Sequence, residues 1–353
     1  KAVETYSELV ENYPADNAGR NNLAIASFAM LDFDSALEQG REALDVYPKN
    51  EIMRSNLALY AMYAGEFETS RTEAEALLAD NPDYFTAWLP IAMAANASGD
   101  LPGAESAYAQ MASTGARGVS LSNLGLADLA LVRGDADAAR QALEQGIGID
   151  IESNNPRSAA IKRVMLAEAE ILAGNEAKAR EHLEDAIETA GLAIQVPAAL
   201  AYLSISDTGK AADIATEFGA SLNAQSRAYG MLIDALISLG EGDNIASIDQ
   251  LSAGLALADL WLLRYYRGMA YFEGGAYVEA LDEFRHCEQR IGEATAAFLD
   301  DLPTWRLTAL LPYWTARAEA ELGMQTDAAV NLERFVGYRQ AGPELEAAKD
   351  LLR

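Results

Sequence analysis

The chain has 353 residues, half of them hydrophobic and only 8% aromatic, and its formal net charge is -28. This length favours either several domains or one repeat array. A surface with this excess of negative charge repels phosphate backbones and anionic lipid headgroups. Nucleic acids and membrane surfaces are therefore unsuitable partners. A basic protein or peptide suits the charge better, although acidic residues also simply keep a large helical surface soluble.

A single cysteine, Cys287, excludes an internal disulfide, and no Cys/His cluster suggests zinc. No apolar run approaches the roughly 18 residues of a membrane-spanning helix, so we expect no direct membrane insertion by this stretch. The compartment stays open between the cytoplasmic and the extracytoplasmic side of a membrane-anchored parent. The sequence does not indicate an oligomeric state.

The first predicted element carries Ala2, Tyr6, Leu9 and Pro14 at the spacing of the second helix of a hairpin repeat. The sequence contains no first helix before it. An unpaired second helix would leave its apolar face uncovered, so we expect the native chain to continue upstream.

The next elements repeat. Residues 21–50 and 55–84 share apolar, small and proline positions 34 residues apart, and a third copy continues in register to residue 111. A period of 34 residues is that of the tetratricopeptide repeat, a hairpin of two helices. A Leu–Ala pair packs the first helix, Gly65 and Gly99 permit the tight turn, and a proline ends the second helix.

Beyond residue 112 the spacing loosens, but small residues and turn signals still indicate hairpins. The predicted turns contain Gly134, Gly174, Ser206-Asp207-Thr208-Gly209, Gly240-Glu241-Gly242, Gly275 and Gly323. A helical solenoid of longer period stays an alternative after residue 150. The last predicted helix, 344–353, is typical of a terminal cap.

The predicted fold class is all-α, a right-handed superhelical solenoid of antiparallel helix hairpins built from tetratricopeptide repeats. We predict an N-terminal array over 1–192 that starts in mid-repeat, degenerate hairpins over 193–255, and C-terminal repeats with a capping helix over 256–353. The shortened hairpin at 193–219 is either a hinge or a kink.

Four stretches resemble the C-terminal repeat region of bacterial, eukaryote-like serine/threonine kinases and related signalling proteins. They are 111–131, 258–281, the FLDDLPT run at 298–304 and the YWTARA run at 313–318. The resemblance implies a parent with an amino-terminal kinase domain and this array as its sensing or docking region. The sequence itself contains no His-Arg-Asp loop, Asp-Phe-Gly motif or glycine-rich phosphate loop.

The concave groove of such a solenoid is its usual binding surface. Asn22 and Asn56 stand just before the Leu–Ala pairs of first helices, where side chains tend to face the groove, and Asn123 stands in a comparable place before Leu124-Gly125. Amides donate and accept hydrogen bonds at once, so these three are the predicted partner-binding residues. The alternative is that they bond within their own helices or to water.

Catalytic, cofactor-binding and metal-binding residues are not predicted. His182 and His286 are the only histidines, and we assign them packing or surface roles. Asp300 and Asp301 precede Leu-Pro-Thr, and we favour a helix cap over a cation site. Aromatic residues cluster late and are predicted to be mainly core: Trp261, Tyr265, Tyr266, Tyr271, Phe272, Tyr277, Trp305, Tyr313 and Trp314.

The leading functional hypothesis is a non-catalytic scaffold that binds a protein or peptide, as the interaction or sensing region of a bacterial kinase or related signalling protein. The alternative is an accessory domain of a cell-envelope or polysaccharide enzyme. The sequence upstream of Lys1 separates the two, because it would contain either a kinase catalytic loop or a transferase or hydrolase domain.

Overall fold

The computed structural model describes residues 1–298 and 301–353, without the side chain of Ala296. The described residues form 20 α-helices and no strand. They fall into two compact units. Unit 1 comprises Lys1–Gly125 and Gly292–Thr304, and unit 2 comprises Leu126–Ile291 and Trp305–Arg353.

Unit 1 is built from one single helix, three hairpins and the start of a fourth. Its helices are α1 (Ala2–Asn12), α2 (Asn17–Ala29), α3 (Phe33–Val46), α4 (Glu51–Tyr63), α5 (Phe67–Asp80), α6 (Trp88–Ala97), α7 (Leu101–Ala112) and the first part of α8 (Ala116–Arg133), with a short 3₁₀ helix at Phe85–Ala87.

Unit 2 continues the hairpins to the C-terminus. Its helices are α9 (Ala136–Glu152), α10 (Pro156–Leu172), α11 (Glu176–Ile187), α12 (Leu192–Ser204), α13 (Thr208–Gly219), α14 (Ala224–Gly240), α15 (Asn244–Leu257), α16 (Trp261–Glu273), α17 (Tyr277–Gln289), α18 (Leu311–Glu321), α19 (Gln325–Tyr338) and α20 (Pro343–Leu351). Two further 3₁₀ helices, Ile291–Ala296 and Trp305–Thr308, lie in the connector between α17 and α18.

Local signals explain the turn inside most of the hairpins. Gly65 and Gly99 both have φ of +79°, a left-handed conformation that costs glycine little. An aspartate commonly follows the turn and caps the second helix. The Asp100 carboxylate accepts a hydrogen bond from the Gly103 amide at 2.9 Å, and Asp135 accepts one from Ala138 at 3.0 Å.

Small residues stand where the two helices of a hairpin cross, as the repeat pattern predicts. Ala36, Ser70 and Ala104 are completely buried on second helices. The Ser70 hydroxyl donates a hydrogen bond to the carbonyl of Ala58, 2.8 Å away on the first helix. A larger side chain there would separate the helices, because protein interiors are close-packed.

The single helix α1 packs against α2. None of its residues is fully buried, although Tyr6 and Leu9 are half-buried. At the other end, α20 packs on α19, and its residues Leu345 and Ala348 are buried. That α20 caps the array stays a prediction.

The loop before α20 also contacts α8 within unit 2. The Arg339 guanidinium donates hydrogen bonds to the carbonyls of Leu131 at 2.9 Å and Val132 at 3.1 Å, and the Gln340 amide donates to Arg133 at 2.7 Å. Carbonyls in the last turn of a helix lack intrahelical partners. The loop therefore caps α8 from more than 200 residues along the chain.

These observations confirm the predicted all-α solenoid of antiparallel helix hairpins. The shortened region is also made of hairpins, α12 with α13 and α14 with α15. In the first of these, Ser206 stands in the turn with φ of +59°, where most other hairpins have glycine and the α2–α3 hairpin has Leu31 with φ of +65°. The domain boundaries at 192 and 255 stay predictions. Among the described residues, no helix is long and apolar enough to cross a membrane.

Candidate functional site on the first helices

The connector between α17 and α18 lies on first helices in each unit, where sequence reasoning expects a partner. In unit 1, Gly292 approaches the C-terminal end of α4 so closely that a Cβ on it would lie 2.6 Å from the Met62 carbonyl oxygen. The Tyr63 hydroxyl, also on α4, donates a hydrogen bond to the Asp301 carboxylate. Burial, with a smaller contribution from the charge of Asp301, raises the pKa of Tyr60.

The Asp301 side chain bonds to Tyr63, and the next helical turn begins at Trp305. That one of Asp300 and Asp301 caps this turn stays a prediction. Asp301 has φ of +48°, a left-handed conformation that aspartate tolerates better than most residues. The cap predicted for Asp300, like the motif residue Leu299, lies outside the described residues.

In unit 2, the 3₁₀ helix at Trp305–Thr308 inserts Arg306 between α8 and α10. Its guanidinium donates from Nε to Glu168 Oε2 at 2.7 Å, from Nη2 to Glu168 Oε1 at 3.0 Å, and from Nη1 to Asp128 Oδ1 at 3.3 Å. The Arg306 amide donates to the same Asp128 oxygen at 3.1 Å. The two-pronged contact with Glu168 is the geometry that guanidinium and carboxylate groups prefer.

Two members of this ion-pair cluster, Asp128 and Arg306, are buried. The Asp128 side chain is completely buried and that of Arg306 is 7% exposed. Burial raises the pKa of Asp128 to about 6, and the charge and hydrogen bonds of Arg306 only partly oppose it. Among the described residues, Asp128 Oδ2 has no hydrogen-bond partner although it is buried. Asp128, which is buried, and Glu168, which is 26% exposed, together form an acidic pocket that a guanidinium fills, hereafter the acidic pocket.

The structure places the three predicted asparagines on first helices in different environments. Asn22 is half-buried on α2. Asn56, also half-buried, donates from Nδ2 to Asn21 Oδ1 at 3.0 Å. Asn123 on α8 is 5% exposed, and its Nδ2 has no partner among the described residues. Their role in partner binding stays a prediction, and a partner reaches Asn22 and Asn56 more readily than Asn123.

The histidines and the cysteine do not form a nucleophile–base pair. Cys287 is buried and its Sγ lies 3.9 Å from the Trp261 carbonyl oxygen, whereas half-buried His286 points its Nδ1 at the Asp282 carbonyl, 2.9 Å away. His182 is half-buried on α11. Within residues 1–298 and 301–353, no three His, Cys, Asp or Glu side chains are arranged to hold a metal ion.

The late aromatic residues are largely core, as predicted. Trp261 and Tyr265 are buried and stack with ring centroids 5.4 Å apart. Arg317 lies over the rings of Phe272 and Trp314, 4.3 and 4.7 Å from the centroids. Such contacts combine apolar burial with cation–π attraction.

Sequence reasoning missed the acidic pocket. Asp128 follows the Leu–Ala pair at 126–127, and Glu168 follows the Leu–Ala pair at 166–167. Both therefore stand at the same position of successive first helices. A charged residue next to a core pair is the one signal in the sequence that marks them. Arg306 carries no such signal, because it lies in a connector.

Residues 55–118 match a family described as tetratricopeptide repeat. No curated protein matches the chain. Similar solved structures include one described as the APC/C hetero-tetramer Cut9-Hcn1, at 13% identity and TM-score 0.48, with 99% of this chain and 57% of that chain covered. This chain thus spans little more than half the length of that one.

Two further structures are similar over most of both chains. The human IFIT1 dimer with PPP-AAAA has 12% identity and TM-score 0.49, with 96% of this chain and 80% of that chain covered. Yeast Tom70 has 12% identity and TM-score 0.29, with 97% and 95% covered.

Proposed function

We propose that this chain is a non-catalytic scaffold that binds extended protein or peptide segments on its first helices. One observation carries the proposal: in both units these helices already hold the α17–α18 connector, which consists of short 3₁₀ helices and extended backbone. In unit 1 the described parts of 292–304 lie on α4, and in unit 2 Trp305–Thr308 lies against α8 and α10. The helical-repeat match at 55–118 supports the same class of function.

The charge of the chain favours a basic partner. With 54 acidic and 26 basic residues, the surface attracts positively charged segments over the distance of a Debye length, about 8 Å at physiological salt. We therefore propose a partner rich in Lys or Arg, and we expect its affinity to fall as salt is raised.

As a finer proposal, the array is the interaction or sensing region of a bacterial serine/threonine kinase or a related signalling protein. The support is the resemblance of 111–131, 258–281, 298–304 and 313–318 to such regions. The alternative, an accessory domain of a cell-envelope or polysaccharide enzyme, differs in the domain that it would accompany. A kinase catalytic loop in the full coding sequence supports the first, and a transferase or hydrolase domain supports the second.

Selection of displayed random peptides against the full chain tests the scaffold function. We expect enriched peptides with excess Lys and Arg whose dissociation constants, measured by calorimetry, lie below about 100 µM. A matched screen of small metabolites serves as the control. Failure to enrich any peptide, together with saturable binding of a small ligand, would overturn the proposal.

A further inference from the structure

The acidic pocket binds Arg306 through both its main-chain amide and its guanidinium. Asp128 Oδ1 accepts hydrogen bonds from the Arg306 amide at 3.1 Å and from its Nη1 at 3.3 Å, while Glu168 binds Nε and Nη2. The site thus contacts the backbone and the side chain of one arginine together. A lysine ammonium, which is a point charge, cannot reproduce this forked pattern.

Arg306 does not fill every hydrogen-bonding position of the acidic pocket. Asp128 Oδ2 is buried and has no hydrogen-bond partner within the described part of the chain. A buried polar atom without a partner retains its desolvation penalty. A guanidinium has five N–H groups, enough to serve both carboxylates fully if its position is not limited by the connector.

We propose that the acidic pocket of Asp128 and Glu168 is a binding site for an arginine in a partner polypeptide, and that Arg306 is the resident competitor for it. The inference rests on the proposed scaffold function and names its ligand. The partner presents an arginine in a short irregular turn, because both its main-chain amide and its guanidinium must reach Asp128.

The residues around Arg306 indicate the remaining chemistry of the ligand. Trp305 is 7% exposed, and the Thr308 hydroxyl donates a hydrogen bond to the Trp305 carbonyl at 2.8 Å, which closes the turn. A partner segment with an aromatic residue before its arginine fits the same surface. The net charge of -28 draws such a cationic segment toward the chain.

Competition between the connector and a peptide is the direct test. The probe is a synthetic peptide of residues 302–310, LPTWRLTAL, with both ends blocked. A tethered competitor acts at an effective concentration on the order of millimolar, so the wild-type chain should bind the peptide weakly. In Arg306→Met the competitor lacks its guanidinium, and we expect at least tenfold tighter peptide binding by calorimetry.

Three comparisons make the test specific. The peptide with Met in place of Arg should not bind Arg306→Met, and adding Asp128→Asn should weaken the arginine peptide at least tenfold. Arg334→Met, which changes an arginine half-exposed on α19, should bind like the wild type. Arg306→Lys, which keeps a charge, replaces Arg306→Met if circular dichroism shows that the latter is unfolded.

Equal binding of the two peptides, or binding that ignores Asp128→Asn, overturns the inference. So does the absence of binding to folded Arg306→Met and Arg306→Lys. These results leave the scaffold function intact if displayed peptides still bind elsewhere, so failure of the two proposals can be told apart.

Discussion

The ion pair between Lys162 on α10 and Asp150 on α9 is buried between two neighbouring hairpins, so its one-sided removal should be costly. The Lys162 side chain is fully buried, that of Asp150 is 1% exposed, and Nζ lies 2.6 Å from Oδ2. Nζ also donates to the Ser158 hydroxyl oxygen at 2.9 Å. Burial lowers the pKa of Lys162, and the hydrogen bond and charge of Asp150 oppose this shift.

Lys162→Met keeps the length of the side chain but removes the Lys162 ammonium from the buried Asp150 carboxylate. Breaking one side of a buried pair costs about 3–5 kcal/mol. Replacing both residues, as Lys162→Met with Asp150→Leu, removes both desolvation penalties. Such replacements are often neutral or stabilising by about 1–4 kcal/mol, so the double variant should be at least as stable as the wild type.

Urea unfolding of the full chain, followed by circular dichroism and tryptophan fluorescence, measures these free energies. Repeat arrays open locally, so hydrogen exchange should also show the loss of protection concentrated in α9 and α10. Lys349→Met, at a surface pair with Glu346, is the matched control and should change stability by less than about 1 kcal/mol. A cost below about 1 kcal/mol for Lys162→Met, or a double variant as unstable as the single one, would refute the reasoning.

Three further predictions concern other positions. The pKa of Asp128 is raised to about 6, so its native state binds a proton more tightly than the unfolded chain, and the urea midpoint should fall as pH rises from about 4 to about 6. Asp128→Asn should flatten that segment of the midpoint-against-pH curve, whereas an unchanged slope would contradict the assignment. Ser206→Gly should stabilise the chain by roughly 1 kcal/mol in the same urea assay, because φ of +59° strains serine; a loss of stability would count against this. Gly134→Ala should lower the melting temperature more than Gly174→Ala. Both glycines have φ near +78°, but only a Cβ at position 134 would meet another atom, the Ala341 carbonyl oxygen at 2.5 Å. Equal losses of melting temperature would contradict this close approach.

The helix hairpins could be predicted from the sequence because their determinants are close together in the chain. The Leu–Ala pair, the turn glycine and the small crossing residue of a repeat lie within about 15 residues of one another, as Leu57, Ala58, Gly65 and Ser70 do. Each acts on its own hairpin through packing or backbone conformation. Their register is therefore visible without any knowledge of long-range contacts.

The candidate site could be predicted only in outline. The sequence pointed to asparagines on first helices as partner-binding residues, which stays a prediction. Asp128 and Glu168 also lie on first helices, but the sequence analysis did not name them. Asn123 illustrates the difficulty: its position in the repeat suggests a groove-facing side chain, yet it is 5% exposed. Burial depends on which other segments cover a helix, and a repeat pattern does not contain that information.

The sequence by itself determined the repeat, its period and the turns, because short-range packing and backbone preferences decide them. Only the tertiary structure decided that Arg306 enters the acidic pocket, 178 residues from Asp128 and 138 from Glu168. It also decided that Arg339 caps α8 from 208 residues away. Such contacts arise when distant segments meet and must neutralise buried charge or satisfy free carbonyls, and no local pattern records which segments those will be.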